Sequence, residues 1–369
     1  MHRCLQLAKL GTGNVAPNPM VGAVLVNKDR IIGEGYHEVY GEPHAEPNSL
    51  ASVKEEDKDL IPQSVMYVSL EPCVHYGKTP PCADLIIKHK IPKVVVGCRD
   101  PFKEVNGKGI EKLLSAGIQV EQGVLENECK ERNKRFLTFH TQHRPYIILK
   151  WAQTANGLIA KPRPRQAPPT GENRSQPSLA DNAHVDRRST TNEPDRLHIT
   201  NEFTNRLVHR WRSEEAAILV GTNTVLMDDP QLTTRLWNGN NPTRLVIDMD
   251  LKIHSISKIF NAEAKTVVFN KMKHEENGNI LLYQVTDDVN IVHQVCNALY
   301  QLKILSVIVE GGARLLQSFI DEGMWDEARV IANRELAIGN GLPAPVLADC
   351  IKTDEQIIFS DTIEFYKPA

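Results

Sequence analysis

His44, Glu46, Cys73 and Cys82 are the residues of this 369-residue chain whose types and spacing could do chemistry. One imidazole and two thiolates suit a tetrahedral zinc, and three protein ligands leave the fourth position to water. An open site of that kind can be catalytic. A structural zinc clip would instead bring four protein ligands, and His75 is the nearby residue that could complete one. Glu46 lies two residues beyond the histidine, close enough to exchange protons with a zinc-bound water without ligating the metal. Positions two apart do not share a face inside a regular helix. His44 and Glu46 therefore converge at a helix entrance, or through the longer glutamate bending back.

The surrounding pattern supplies elements to position them. Pro43 precedes the histidine and suits a helix start, with the helix running to about Val53. Upstream, Leu5, Leu7, Ala8 and Leu10 keep helical spacing until Gly11, Gly13 and Pro17-Asn18-Pro19. A strand at 21–26, a turn at Asn27-Lys28-Asp29 and a strand at 31–35 make a hairpin. A strand at 65–69 delivers Glu71-Pro72-Cys73 at its end. Cys82 opens a helix over 83–89, followed by a strand at 93–97 and a helix at 110–116. Alternating strands and helices imply an α/β layered domain.

The length favours two domains, and we place them at 1–143 and 144–369, where Arg144-Pro145 precedes a strand over 146–152. Hydrophobic residues make up 41% and charged residues 24%, enough for sizeable cores. A formal charge of −3 with 6% aromatic residues argues against a nucleic-acid or anionic-membrane surface and points to small-molecule partners. Seven cysteines, thinly spread, do not form a disulfide framework. The first residues lack an apolar signal core, and no run approaches the roughly 18 apolar residues of a membrane helix. A reducing cytoplasm is the expected location.

In the second half, residues 161–195 are rich in Pro, Arg, Asn and Ser and read as an exposed or mobile insertion. Helical spacing returns at Phe203, Leu207, Val208 and Trp211, and strands follow at 217–221, 244–248, 266–269 and 304–310. The last leads into Gly311-Gly312-Ala313-Arg314 and a helix through Ile320. A strand, a glycine turn and a helix N-terminus can cradle an anion, although Gly-Gly at a strand end reads first as a tight turn.

Two sets of motifs resemble the bifunctional deaminase/reductase family of riboflavin biosynthesis. Pro17-Asn18-Pro19-Met20-Val21-Gly22, Gly41-Glu42-Pro43-His44-Ala45-Glu46 and Glu71-Pro72-Cys73-x-His75-x-Gly77-Lys78-Thr79-Pro80-Pro81-Cys82 resemble its deaminase half. The interval between the cysteines exceeds the C-x-x-C of many nucleoside deaminases and points to this branch. Lys150-x-Ala152-x-Thr154-x-Asn156-Gly157, the stretch from Val220 through Asp228-Asp229-Pro230 to Arg235, and Val309-Glu310-Gly311-Gly312 resemble its reductase half. The two sets together cover nearly the whole chain.

The resemblance implies a cytidine-deaminase-like three-layer domain followed by a dihydrofolate-reductase-like α/β domain. The first would use Zn2+ to deaminate 2,5-diamino-6-ribosylamino-4(3H)-pyrimidinone 5′-phosphate, with Glu46 carrying protons and Asn18, His75, Lys78 and Thr79 lining the substrate side. The second would use NADPH to reduce the ribosyl group to ribityl, giving 5-amino-6-ribitylamino-uracil 5′-phosphate. Gln153, His198, Thr224, Asp228 and the run Gly312, Ala313, Arg314, Leu315, Leu316, Gln317 and Ser318 would hold that cofactor. Arg212, Leu232, Arg235 and Glu310 would face the substrate. Family members commonly form homo-oligomers. The chain departs from the pattern at Asn156, where an aspartate is usual, at His198, where a tryptophan is common, and in the insertion. Rival readings are a deaminase with an inert second domain, a nucleic-acid editor, and a zinc-stabilised scaffold.

Overall fold

The computed structural model describes residues 1–76, 80–161 and 197–369, and its two large β-sheets fall in successive parts of the chain. From residue 162 the expected insertion lies outside the described residues, as do Lys78 and Thr79.

The first domain begins with α1 (His2–Leu10), which turns Cys4, Leu7 and Ala8 inward and stops at Gly11. The expected hairpin is β1 (Gly22–Asn27) with β2 (Arg30–Tyr36). Then come α2 (Ala45–Ala51), β3 (Val65–Leu70), α3 (Cys82–Lys88), β4 (Lys93–Cys98), α4 (Lys108–Ser115) and β5 (Gln119–Gln122). The sheet order is β2-β1-β3-β4-β5, antiparallel around β1 and parallel from β3 to β5. Successive strand residues face opposite sides, which makes three layers. Ala23 and Leu25 pack with Met66, Val68, Val94 and Ile86 of α3 on one face, whereas Val24 packs with Cys4 and Leu7 of α1 on the other.

Two further helices, α5 (Glu126–Arg132) and α6 (Lys134–Gln142), close the domain in a stretch that shows no clear periodicity. The reason is physical. β5 is a largely exposed edge strand of polar residues, and α5 buries Cys129 alone.

The second domain starts with β6 (Tyr146–Gln153), β7 (Leu158–Ala160), α7 (Glu202–Glu214), β8 (Ala217–Gly221), α8 (Thr222–Asp228), β9 (Thr243–Ile247) and β10 (Thr266–Asn270). It continues with β11 (Glu275–Asn277), β12 (Ile280–Gln284), α9 (Ile291–Gln301), β13 (Ser306–Val309), α10 (Ala313–Asp321) and β14 (Glu327–Asn333). It ends with β15 (Leu342–Pro343), β16 (Cys350–Ile358) and β17 (Asp361–Pro368). Ten strands run in the order β11-β12-β10-β9-β8-β13-β6-β14-β17-β16, parallel from β12 to β14 and antiparallel at both edges. Parallel strands buried on both faces read as continuous apolar runs, which is why 146–152 and 217–221 stand out in the sequence. Ile147 and Leu149 join Leu299 of α9 and Phe319 of α10, while Ile148 and Ile218 meet Val208 and Trp211 of α7.

The domains meet along α6. Lys134 binds Glu327 of β14 at 3.0 Å, and Arg135 forks onto the buried Glu215 just beyond α7, with its Nε 2.7 Å from the carboxylate. Phe136 and Phe139 of α6 share an apolar cluster with Leu305 and Tyr300 of the second domain. Among the described residues, no helix is long and apolar enough to cross a membrane.

Candidate active sites

His44 is the N-cap of α2, with extended backbone (φ −73°, ψ 178°), and Glu46 is in the first turn. The motif therefore lies at the helix entrance, the arrangement that lets imidazole and carboxyl converge. Cys73 follows β3, and Cys82 is the first residue of α3, whose N–H groups at Cys82 and Ala83 donate to Cys73 Sγ (3.4 Å) and Cys73 O (3.1 Å). His44 Nδ1 lies 3.6 Å from Cys73 Sγ and 3.4 Å from Cys82 Sγ. Zinc bonds of about 2.0–2.3 Å in a tetrahedron give N–S edges of about 3.5 Å, so the three donors fit a zinc ion. All three ligand atoms lie within 4.8 Å of one another.

Around this cluster the electrostatics favour ligation and proton transfer. The Cys82 thiol, then His44 and the Cys82 N–H, draw the Cys73 pKa down against the effect of burial. Burial, reinforced by Cys73, pushes the Glu46 carboxyl up to about 7.

A cavity of about 600 Å³ opens on the cluster, lined by Asn18, His37, His75, Asp100 and Phe102 among others. Asn18 and His75, expected at the substrate side, are in its wall. Asn18 is tied to His37 (3.1 Å), whose Nδ1 meets Pro43 O at 3.0 Å immediately before the first ligand. His75 has a buried Nδ1 with no hydrogen-bond partner among the described residues. Sequence reading missed His37, a lone histidine without a motif. It also missed the work of Glu71, whose carboxylate accepts from the N–H groups of Asp100, Gly107, Gly109 and Ile110 at 2.9–3.3 Å. Those bonds fix the strand end that carries Cys73.

The second site lies where β6, α7 and β13 converge. Glu310, just past β13, accepts from Arg212 Nε at 2.9 Å and Nη2 at 2.7 Å, and Lys150 Nζ lies 3.4 Å away. Burial alone would raise the Glu310 pKa, but Arg212 and Lys150 outweigh it and hold the carboxyl at about 2. Arg212 thus spends two donors on Glu310, while Arg235 is exposed within the loop between α8 and β9, its guanidinium donating to Gln231 Oε1 and its backbone N–H to His209 Nδ1 at 3.0 Å. Leu232, expected to face substrate, is buried against the α7 side of the core with φ 55°.

Beside this triad, Gly312 (φ +72°) caps α10, and no heavy atom lies nearer than 3.8 Å to where a Cβ would stand. A Cβ on Gly311 would meet Thr224 Oγ1 at 2.9 Å, so Thr224 and the glycine turn adjoin. This open backbone at a helix N-terminus suits a phosphate-bearing cofactor. Within the expected run, Leu316 turns into the core. Gln153 accepts from Trp151 Nε1 at 2.9 Å, and His198 and Asp228 are exposed. Asn156 donates to Ile338 O at 2.6 Å, a bond that an aspartate could not make, and accepts from Thr154 Oγ1 at 2.7 Å.

Comparison with known proteins finds two family matches in succession along the chain. Residues 1–98 match the cytidine and deoxycytidylate deaminase zinc-binding region, and residues 145–333 match the RibD C-terminal domain. The riboflavin biosynthesis protein RibD of Aquifex aeolicus (strain VF5) is 39% identical over 351 residues, covering 93% of this chain and 88% of the relative. That of Escherichia coli (strain K12) is 32% identical, covering 89% and 84%. The crystal structure of a diaminohydroxyphosphoribosylaminopyrimidine deaminase/5-amino-6-(5-phosphoribosylamino)uracil reductase from Thermotoga maritima superposes with a TM-score of 0.83 at 34% identity, covering 100% of this chain and 97% of that one. The chain belongs to the RibD family of riboflavin biosynthesis proteins, with a zinc-binding deaminase domain ahead of a reductase domain.

Proposed function

We propose that residues 1–143 deaminate 2,5-diamino-6-ribosylamino-4(3H)-pyrimidinone 5′-phosphate and that residues 144–369 use NADPH to reduce the ribosyl group of the product to ribityl. The convergence of His44, Cys73 and Cys82 beside the buried Glu46 carboxyl carries the first half of this reading.

Zinc held by those three side chains supplies Lewis acidity that brings the pKa of a water to about 7. Glu46 takes the proton of the attacking water and returns protons to the ring nitrogen and the departing amine. Asn18, held by His37, and His75 Nδ1, without a hydrogen-bond partner among the described residues, offer polar contacts to the ring and its substituents.

In the second domain NADPH supplies hydride, and the chain supplies orientation and charge. The α10 N-terminus and Thr224 suit the cofactor phosphates. Arg235 suits the substrate phosphate, with Arg212 fixing Glu310 behind it. Lys150 is the triad member with a transferable proton, since a guanidinium stays charged and Glu310 is held ionised. It can protonate the ring oxygen as the sugar opens. The chain is expected to act as a homo-oligomer in the cytoplasm, which sedimentation and fractionation would measure.

The test is mass spectrometry of the diaminopyrimidine ribosyl phosphate incubated with zinc-loaded protein. Without NADPH the mass should rise by about 1 Da, as O replaces NH, and with NADPH by about 2 Da more. A product unchanged in both arms would refute the reading.

A further inference from the structure

The deaminase cavity is not walled by its own domain alone. Tyr300, Lys303 and Leu305, from the end of α9 and the turn into β13, line the same space as His44 and Glu46. Aromatic contacts show how this wall is ordered. His75, two residues from Cys73, meets Phe102 edge-on with centroids 5.8 Å apart, and Phe102 meets His140 at 5.0 Å. Neighbouring Phe139 lies on Tyr300 at 4.8 Å. The wall therefore runs from the metal ligands to Tyr300, and Lys303, three residues further along the chain, also lines the cavity.

One observation singles out Lys303. Among the described residues it is the one lysine or arginine in the cavity wall, and its ammonium has no hydrogen bond or ion pair there. It also occupies a backbone position that glycine adopts with least strain. α9 ends with Lys303 N–H donating to Tyr300 O (3.1 Å) and Ile304 N–H to Leu299 O (2.9 Å), and Lys303 has φ +57°. That pair of bonds is the Schellman ending, whose left-handed residue is usually glycine. Lys90 ends α3 with the same pair of bonds and φ +55°, and glycine would relieve the strain at either position.

We propose that Lys303, a residue of the reductase domain, binds the phosphate monoester of the deaminase substrate and helps set the specificity of the other domain's reaction. The proposal rests on the deamination reading above. With the pyrimidine ring at His44 and Glu46, the ribose carries its phosphate away from the metal ligands toward the wall that holds Lys303. An ammonium there offers three donors to the phosphate oxygens.

Lys303→Gly tests this without threatening the fold, because it relieves the left-handed strain. Deamination by the full-length, zinc-loaded protein would be followed on the phosphorylated substrate and on its dephosphorylated riboside. The variant should raise KM for the phosphorylated substrate about tenfold, with kcat within about twofold. Its KM for the riboside and its reduction of added deaminated product should match the wild type, its thermal midpoint should be equal or higher, and Lys303→Arg should keep most of the affinity. Equal KM values for variant and wild type on the phosphorylated substrate would overturn the role of Lys303, as would a parallel rise on the riboside. A wild type that deaminates neither compound would overturn the deamination reading and this proposal together, a result distinct from the other two.

Discussion

On the proposed function, the two domains make their sites by opposite means. The first puts its chemistry into four side chains at element ends, with His44 capping α2, Glu46 in the first turn, Cys73 after β3 and Cys82 opening α3. The second puts it into backbone at the α10 N-terminus and into charges that neutralise one another, Lys150 and Arg212 on Glu310. A site of reactive side chains should fail completely when one is changed, with the fold intact. A site of buried balanced charges should lose stability first.

The largest expected effect follows from that contrast. Glu46→Gln should lower deamination about 10³-fold, within the range of a lost general acid–base, while reduction of added deaminated product stays within about twofold. Steady-state rates of the two reactions, measured separately, check it. Cys82→Ala should likewise abolish deamination, and metal analysis should show the zinc content falling from about one per chain toward zero, because two protein ligands hold zinc poorly.

The second domain should respond differently. Glu310→Ala leaves Lys150 and Arg212 buried without their counter-charge, and breaking such a pair by removing one partner costs about 3–5 kcal/mol. A thermal midpoint lowered by about 10 °C is expected in calorimetry. Acid should produce a milder form of the same loss. The Glu310 carboxyl is at about 2 in the folded chain against an ordinary 4.5, so its contribution is complete above 4.5 and disappears as pH falls toward 2. Up to about 3 kcal/mol is involved, and the slope of urea-unfolding stability across that range should be shallower in Glu310→Gln than in the wild type, with Glu327, also held at about 2, supplying part of what remains. The smallest effect belongs to Asn156→Asp, which restores the usual family residue but deletes the amide's bond to Ile338 O. A loss of about 1 kcal/mol is expected, again from urea unfolding.

The same contrast explains what could be read from the sequence. Cysteine, histidine and glutamate in a fixed order announce a metal site before any fold is known, and Pro43 announces the helix entrance that lets them converge. The apolar runs of β6 and β8 announce strands, and their parallel pairing is shown by the structure. By comparison, β5 and α5 bury too little to leave a pattern. Glu71 carries no signal of its role, because its partners are backbone N–H groups more than 28 residues away in sequence. Arg212 was legible as a cation, but its engagement with Glu310 depends on α7 and β13 lying side by side. The share of the reductase domain in the deaminase cavity, through Tyr300 and Lys303, is a property of domain packing alone.

The central claim is that one chain holds two separable sites working in succession, and Glu46→Gln tests it most directly. Mass spectrometry would follow this variant, with zinc and NADPH, on the diaminopyrimidine ribosyl phosphate and on the independently made deaminated product. The account expects the first compound to stay unchanged and the second to gain about 2 Da, as hydride and proton are added. Reduction of the first compound without prior deamination, or failure to reduce the second, would contradict it.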